Sequence, residues 1–330
     1  MRKTDATKGR SFWARVGLVA VVVGCLGCQQ QPTEKITMSG GSLGGGWSAI
    51  SEGVTSALRR EMPGAAITHE VGLDGANAAM VDSGRVQLGL LHSAMVGPAL
   101  AGEYPYSQKL ENIRGITRVY PDSAYHFVVT AESGLTSIED IKRKKYPLRL
   151  SVMYRGSLME TSSRVLLEAY GITYEDIESW GGKVYFRALA ATLELMKDGR
   201  LDAIGYTVQY PETQLNEASL TQDFRVLPLS DEAIEYVNRK LGTYATKIPA
   251  GTYRFAPADI PTFADVCVLI AYGRMPEEQA YRITRALYKN LDYLHSVHKA
   301  LSRLEAADMP RMNLPLHPGA ERFYREAGLL

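Results

Sequence analysis

One local pattern constrains this chain more than any other: a strand, a loop of small residues, then a helix. It occurs at Gly40–Ile50, Gly72–Met80 and Met153–Val165. Strands that alternate with helices imply largely parallel strands with helices on both faces. In the first unit Ile50, Val54, Ala57 and Leu58 fall at i, i+4, i+7 and i+8, one apolar helical stripe. The patterning predicts strands at Ile36–Met38, Ala66–Val71, Val86–Leu91, Tyr125–Thr130, Leu148–Met153 and Leu201–Gly205. Helices are predicted over 77–83, from the Arg155-Gly156-Ser157 turn to Ala169 with Gly171 as the stop, and over Leu189–Lys197. Pro276 suits the first turn of a long helix over Glu277–Leu294, and Thr136-Ser137-Ile138-Glu139 reads as a capping box. The expected fold class is α/β with two mostly parallel sheets.

Such a chain binds things in a particular place. In open α/β sheets ligands collect beyond the carboxyl ends of the strands. Helices that begin there present unpaired N–H groups and a positive pole, and glycines let the backbone approach an anionic or carbonyl group. The run Ser39–Ser48 supplies these features, with the Ser42 and Ser48 hydroxyls and the Trp47 indole beside its glycines. It is not a phosphate loop, since no Lys follows, and it lacks the acidic partner of a dinucleotide fingerprint.

Bulk properties narrow the function classes. The 330 residues suffice for two domains, and 45% hydrophobic with 22% charged residues is an ordinary globular composition. A formal net charge of +1 gives no electrostatic footprint for nucleic acid, and the basic run Lys142–Lys145 reads as a solvated helix end. Residues 1–28 differ: five basic residues precede an apolar run, Val16–Gly24, shorter than the ~20 residues a membrane span needs. The segment ends in Val22-Val23-Gly24-Cys25-Leu26-Gly27-Cys28, which resembles a bacterial lipobox, so Cys25 or Cys28 is the expected acylation site. Residues 29–34 then form a tether. Cys267 is left as a lone thiol in an apolar run and is expected to be buried and inert.

From about Lys35 onward the chain resembles the TAXI family, solute receptors of tripartite ATP-independent periplasmic (TRAP) transporters. The likeness rests on Ser39–Ser48, Gly72–Asn77, Leu88–Ser93, Ser137–Ile141 with Arg155–Ser157, Asp198–Ala203, Ile248–Tyr253 and Leu314–Ala320, in that order. The resemblance implies a two-lobed periplasmic-binding-protein fold that closes on a ligand like a flytrap. Lobe I would be 35–125 plus 256–330 and lobe II 126–255, with crossings near Tyr125–Thr130 and Thr262–Val268. It also implies an exported, lipid-anchored, non-enzymatic protein that delivers a small carboxylate or amino-acid-like ligand to a TRAP-type membrane subunit.

The site residues expected are Ser42, Gly45, Trp47, Asp74, Asn77, His92, Ser93, Arg155, Ser157, Thr207, Gln209 and Tyr210. Several have a second reading: Trp47 as core packing, Asn77 as a helix cap, His92 as a structural histidine, Arg155 as a solvent-facing charge. His317 reads as a lock on the C-terminal turn. Asp74 stands where the family usually has Ser, and Ala94 where it often has Asp. If Asp74 faces the cleft it would repel a carboxylate and favour an amine or hydroxyl. No catalytic or metal motif is present, so neither cofactor nor metal is expected. Two other roles fit such a chain: a ligand sensor for a membrane signalling protein, and an enzyme on the same two-lobed scaffold.

Overall fold

The computed structural model describes residues 34–41 and 46–330. The expected export signal with Cys25 and Cys28, most of the expected tether, Ser42 and Gly45 lie outside the described residues.

The chain opens with β1 (Glu34–Ser39), α1 (Gly46–Glu61), β2 (Ala65–Glu70), α2 (Asp74–Asp82) and β3 (Leu88–His92). α3 (Val96–Ala101) then leads into the long β4 (Ile113–Thr130). The next stretch holds α4 (Glu139–Arg143), β5 (Arg149–Ser151), α5 (Leu158–Ala169), α6 (Tyr174–Ser179) and β6 (Lys183–Tyr185). It continues with α7 (Leu189–Lys197), β7 (Ala203–Val208), α8 (Thr213–Ala218), β8 (Phe224–Val226), α9 (Asp231–Leu241) and β9 (Tyr244–Ile248). β10 (Ile260–Tyr272) returns, followed by α10 (Glu277–Lys289), α11 (Leu291–Val297) and α12 (Pro318–Glu326).

The strands form one curled, hydrogen-bonded sheet in the order β2-β1-β3-β10-β4-β7-β5-β6, with β8 on β4 and β9 on β10. Each end is parallel, as the strand–helix alternation predicts: β1 with β2 and β3, β5 with β6 and β7. The middle is antiparallel, because β4 and β10 run through both halves. β4 pairs with β10 between Ile113 and Ala124, then with β7 from Ala124 to Val129. β10 pairs with β9 over Ile260–Ala264 and with β3 over Cys267–Ala271. The register of β4 on β10 breaks between Asp265 and Cys267 and at two further steps. Irregularities there let one strand bend from one lobe into the other.

Three apolar cores result. Ile36, Met38, Leu58, Ile283, Leu287 and Phe323 pack α1, α10 and α12 on the first half. Ala124, Leu193, Met196, Ile204 and Val226 fill one side of the second. A third core runs across both halves, joining Leu91, Met95 and Ala99 to Leu150, Leu166 and Val237.

Local chemistry explains where the helices depart from the expected ones. The run at Thr136 closes on Asp140 rather than Glu139: Thr136 donates from N (3.4 Å) and Oγ1 (3.1 Å) to Asp140 Oδ2. Ser137 Oγ accepts from the Asp140 N–H at 3.4 Å, and α4 starts at Glu139, two residues later than a Thr–Glu box requires. The long helix after Pro276 breaks at Asn290, whose Nδ2 donates back to Ala286 O at 2.8 Å. Such a side chain competes with the helical ladder. His317 caps α12 by accepting from the Gly319 N–H at 3.3 Å, the expected lock. Cys267 is buried and unpaired, and burial pushes its thiol well up.

Candidate functional site

A cavity of about 480 Å³ lies between the two halves. The starts of four helices line it: α1 through Gly46 and Trp47, α2 through Leu73 and Asp74, α5 through Ser157, and α7 through Ala188–Ala190. Their capping differs. Ser157 caps α5 with its own hydroxyl, accepting from the Glu160 N–H at 3.3 Å. The residues before α2 and α7, Leu73 and Ala188, are extended and give no side-chain cap. First-turn N–H groups of those two helices are thus left for a guest, at the positive end of each macrodipole.

Two backbone features hold these starts in place. Gly72 lies so close to β1 that an added Cβ would fall on Asn77 Oδ1 and Ser39 Oγ. Met153, two residues past the end of β5, sits at φ 63°, in the left-handed region that non-glycine residues avoid. It lines the cavity, so this strained backbone belongs to the cavity wall.

The floor is a buried polar cluster. Asp74 Oδ1 accepts from the His92 backbone N–H and Oδ2 from His92 Nδ1, both at 3.0 Å. Trp47 stacks on the His92 ring with centroids 4.5 Å apart, and its Nε1 donates to Tyr120 Oη at 2.5 Å. Asp265 lies behind, with Oδ2 accepting from the Ala94 N–H at 3.1 Å. Burial pushes the Asp265 carboxyl up to about 7, against the pull of His92 and the Ala94 N–H. Burial works the other way on His92, but the Asp265 and Asp74 charges outweigh it, and its pKa lies above the ordinary value. Tyr120 is held well above 10 by burial and so stays a neutral phenol.

No Lys or Arg lines the cavity among the described residues. Its wall is instead aromatic and apolar, from Tyr154, Tyr206, Met159 and Leu189, with Thr207, Gln209 and Gln214 as polar points. Thr207 is 3% exposed, and its Oγ1 has no hydrogen-bond partner among the described residues. A buried hydroxyl without a partner costs about 1–3 kcal/mol, so it marks a place where a ligand atom would be welcome.

The expected site residues divide into two groups. Trp47, Asp74, His92, Ser157, Thr207 and Gln209 meet at the cavity. Ser42 and Gly45 are outside the described residues, and the other four lie elsewhere. Asn77 is fully buried behind the wall: Oδ1 accepts from Ser39 Oγ at 2.8 Å, and Nδ2 donates to Gly40 O and Leu90 O at 2.9 Å each. Ser93 lines a different recess, its Oγ accepting from the Val266 N–H at 3.3 Å. Arg155 lines an adjoining chamber, and Tyr210 sits beyond the strand end with its hydroxyl 3.5 Å from Lys247 O. Sequence reasoning missed Tyr120, Tyr206, His298 and the α7 start. Tyr120 lies in the unread first half of β4, and Ala188–Ala190 are small or apolar residues whose type does not advertise a site.

Residues 38–328 match the model of the NMT1-like family, and the chain belongs to that family. Solved structures show the fold. The chain is similar to the periplasmic binding protein BugD at 13% identity, over 90% of this chain and 99% of that one, with a TM-score of 0.53. It is similar to MatC from Rhodopseudomonas palustris, solved with bound malate, at 14% identity, 90% and 99% coverage and a TM-score of 0.53. PhnD1 from Prochlorococcus marinus, in complex with methylphosphonate, matches at 13% identity, 90% and 99% coverage and a TM-score of 0.53. At such identities the likeness is one of fold: the two-lobed architecture of periplasmic binding proteins.

Proposed function

We propose that this member of the NMT1-like family is an exported solute-binding protein that closes on a small carboxylate and passes it to a membrane transporter of the TRAP type. The observation that carries the reading is the convergence of four helix starts, two of them without side-chain caps, on one cavity between two lobes. Backbone N–H groups and Thr207 would hold the anion, with the aromatic wall around its body. An amino-acid ligand fits less well, because both Asp74 oxygens are taken by His92 and no other carboxylate lines the cavity among the described residues. Among the described residues no helix is long and apolar enough to cross a membrane. The proposal keeps Cys25 or Cys28 as the acylated residue and the lobes at 35–125 plus 256–330 and 126–255.

In this reading ligand affinity depends on the gap between open and closed states, since only closure brings both lobes onto the guest. A thermal-shift panel tests it. A carboxylate at a hundred times its Kd adds about 2.7 kcal/mol to the folded state and raises Tm by several degrees. A panel of carboxylates and hydroxy or keto acids that leaves Tm unmoved would overturn the assignment. Transport is tested separately, by capture of a multi-spanning membrane subunit on the acylated, ligand-loaded protein.

A further inference from the structure

We infer that His298 is a ligand-contact residue, whose neutral imidazole presents its Nε2–H to a carboxylate or keto oxygen of the guest beside the start of α1; this rests on the reading of the cleft as a solute site. His298 follows α11 and opens the short 3-10 turn Lys299–Arg303. It lines the main cavity together with Ala300 and with Gly46 and Trp47 at the start of α1. The backbone decides which ring nitrogen holds the proton. His298 Nδ1 accepts from the Ala300 N–H at 3.1 Å, so Nδ1 keeps its lone pair and the proton of the neutral ring sits on Nε2. Burial pulls the imidazole below its ordinary pKa, which favours that neutral form. A proton on Nδ1 would set two donors against each other and break the cap. The Nε2 edge of the ring stands beside α1: a Cβ added to Gly46 would lie 3.2 Å from Nε2 and 3.6 Å from Cε1. Nε2 has no hydrogen-bond partner among the described residues, and glycine at position 46 leaves the space next to it unfilled.

The other ring nitrogens of the cavity are already engaged. Trp47 Nε1 donates to Tyr120 Oη at 2.5 Å. His92 Nδ1 is held by Asp74 at 3.0 Å, and His92 Nε2 faces Tyr120 Oη at 3.4 Å. Among the described residues that line the cavity, His298 is therefore the one ring donor left for a guest. It stands on the half that carries α1. Thr207, whose enclosed hydroxyl has no partner among the described residues, stands on β7 in the other half. A guest that meets both is held from both sides, so its contacts favour the closed state over the open one. An imidazole N–H donates and cannot accept, so this point suits a carboxylate or keto oxygen and offers nothing to an ammonium group.

Asparagine and glutamine each reproduce one part of the imidazole. His298→Asn keeps an acceptor near the Nδ1 position and loses the far donor. His298→Gln reaches the Nε2 position with an amide N–H and gives up the cap on Ala300. Isothermal titration with lactate, pyruvate and malate, beside thermal melts without them, reads the difference. His298→Asn should melt with the wild type and bind about tenfold more weakly. His298→Gln should melt lower and hold its Kd within about threefold of the wild type. An Asn variant that binds as tightly as the wild type, or a Gln variant that binds no better than the Asn one, overturns the role of His298 and leaves the cleft reading standing. A wild type that binds no such acid overturns both. A further readout needs no guest: nitrogen–proton correlation spectra near neutral pH, with the His298 signals assigned by their loss in His298→Asn, should show the Nε2–H tautomer. An Nδ1–H tautomer overturns the inference.

Discussion

Replacing Thr207 with Val should change stability and affinity in opposite directions. The two side chains have nearly the same shape, but the Thr207 Oγ1 is enclosed and has no partner among the described residues. Its desolvation without a hydrogen bond costs the unliganded protein about 1–3 kcal/mol. Thr207→Val removes that cost, and about 1 kcal/mol of added stability raises Tm by roughly 1–2 °C in a protein of this size. The ligand complex responds the other way. A hydrogen bond from that hydroxyl to a charged ligand atom is worth about 1.5–3 kcal/mol, so the variant should bind about ten- to a hundredfold more weakly. Scanning calorimetry without ligand and titration with it measure both effects on one preparation. A variant that melts lower, or that binds with unchanged affinity, would refute the argument, because the hydroxyl would then belong to the packing and not to the ligand.

Two further outcomes follow from buried charges. Asp265 has its folded pKa raised from 3.8 to about 7, so its contribution to stability is greatest below the unfolded value and declines as pH rises toward 7. His92 has its folded pKa raised as well, so its contribution is full below 6.5 and is lost as pH climbs through the folded value. Tm measured from about pH 5 to pH 8 should fall more steeply in the wild type than in Asp265→Asn, and parallel curves would refute the assignment. Tyr104→Phe removes the phenol that Tyr104, on the loop after α3, donates to Glu160 on α5 at 2.5 Å. Glu160 is fully buried, so we expect a loss of about 1–3 kcal/mol in chemical denaturation and weaker ligand binding without any ligand contact.

What the sequence disclosed depended on how local the cause was. Helix α7 over Leu189–Lys197 and the stop at Gly171, with φ 64°, follow from short-range periodicity and glycine geometry. Only the second half of β4, Tyr125–Thr130, showed itself, because its 18 residues change partners midway and their pattern is broken where the strand crosses between lobes. The site divided in the same way. Trp47, His92 and Thr207 follow strand–loop–helix logic, and that logic brings them to the cavity. Asn77 obeys the same local pattern yet points inward, because Gly72 leaves no room for a side chain and draws the loop against β1, where Asn77 takes up Ser39, Gly40 and Leu90. Register of one turn relative to a neighbouring strand decides that outcome, and no single segment encodes it.

The charge of Asp74 makes the same point at the level of function. Taken alone, a carboxylate in the wall of a binding cavity repels an anionic guest and recruits an amine. In the folded chain the carboxylate turns both oxygens onto His92, whose pKa is lowered by burial but raised overall by the Asp265 and Asp74 charges. Both oxygens are thereby engaged, and the pair's geometry fixes the imidazole against Trp47 and, through Trp47, the start of α1. Asp74 thus acts as an anchor for two walls. The anion preference is then left to backbone dipoles, which carry no counter-ion to displace and need no reorganisation when a carboxylate arrives. Had Asp74 instead been unpaired, the same four helix starts would face a fixed negative charge at their centre, and the cavity would suit a zwitterion. Asp74→Asn separates the cases: it should unsettle His92 and Trp47 and weaken binding of a plain carboxylate, whereas relief of repulsion would strengthen it.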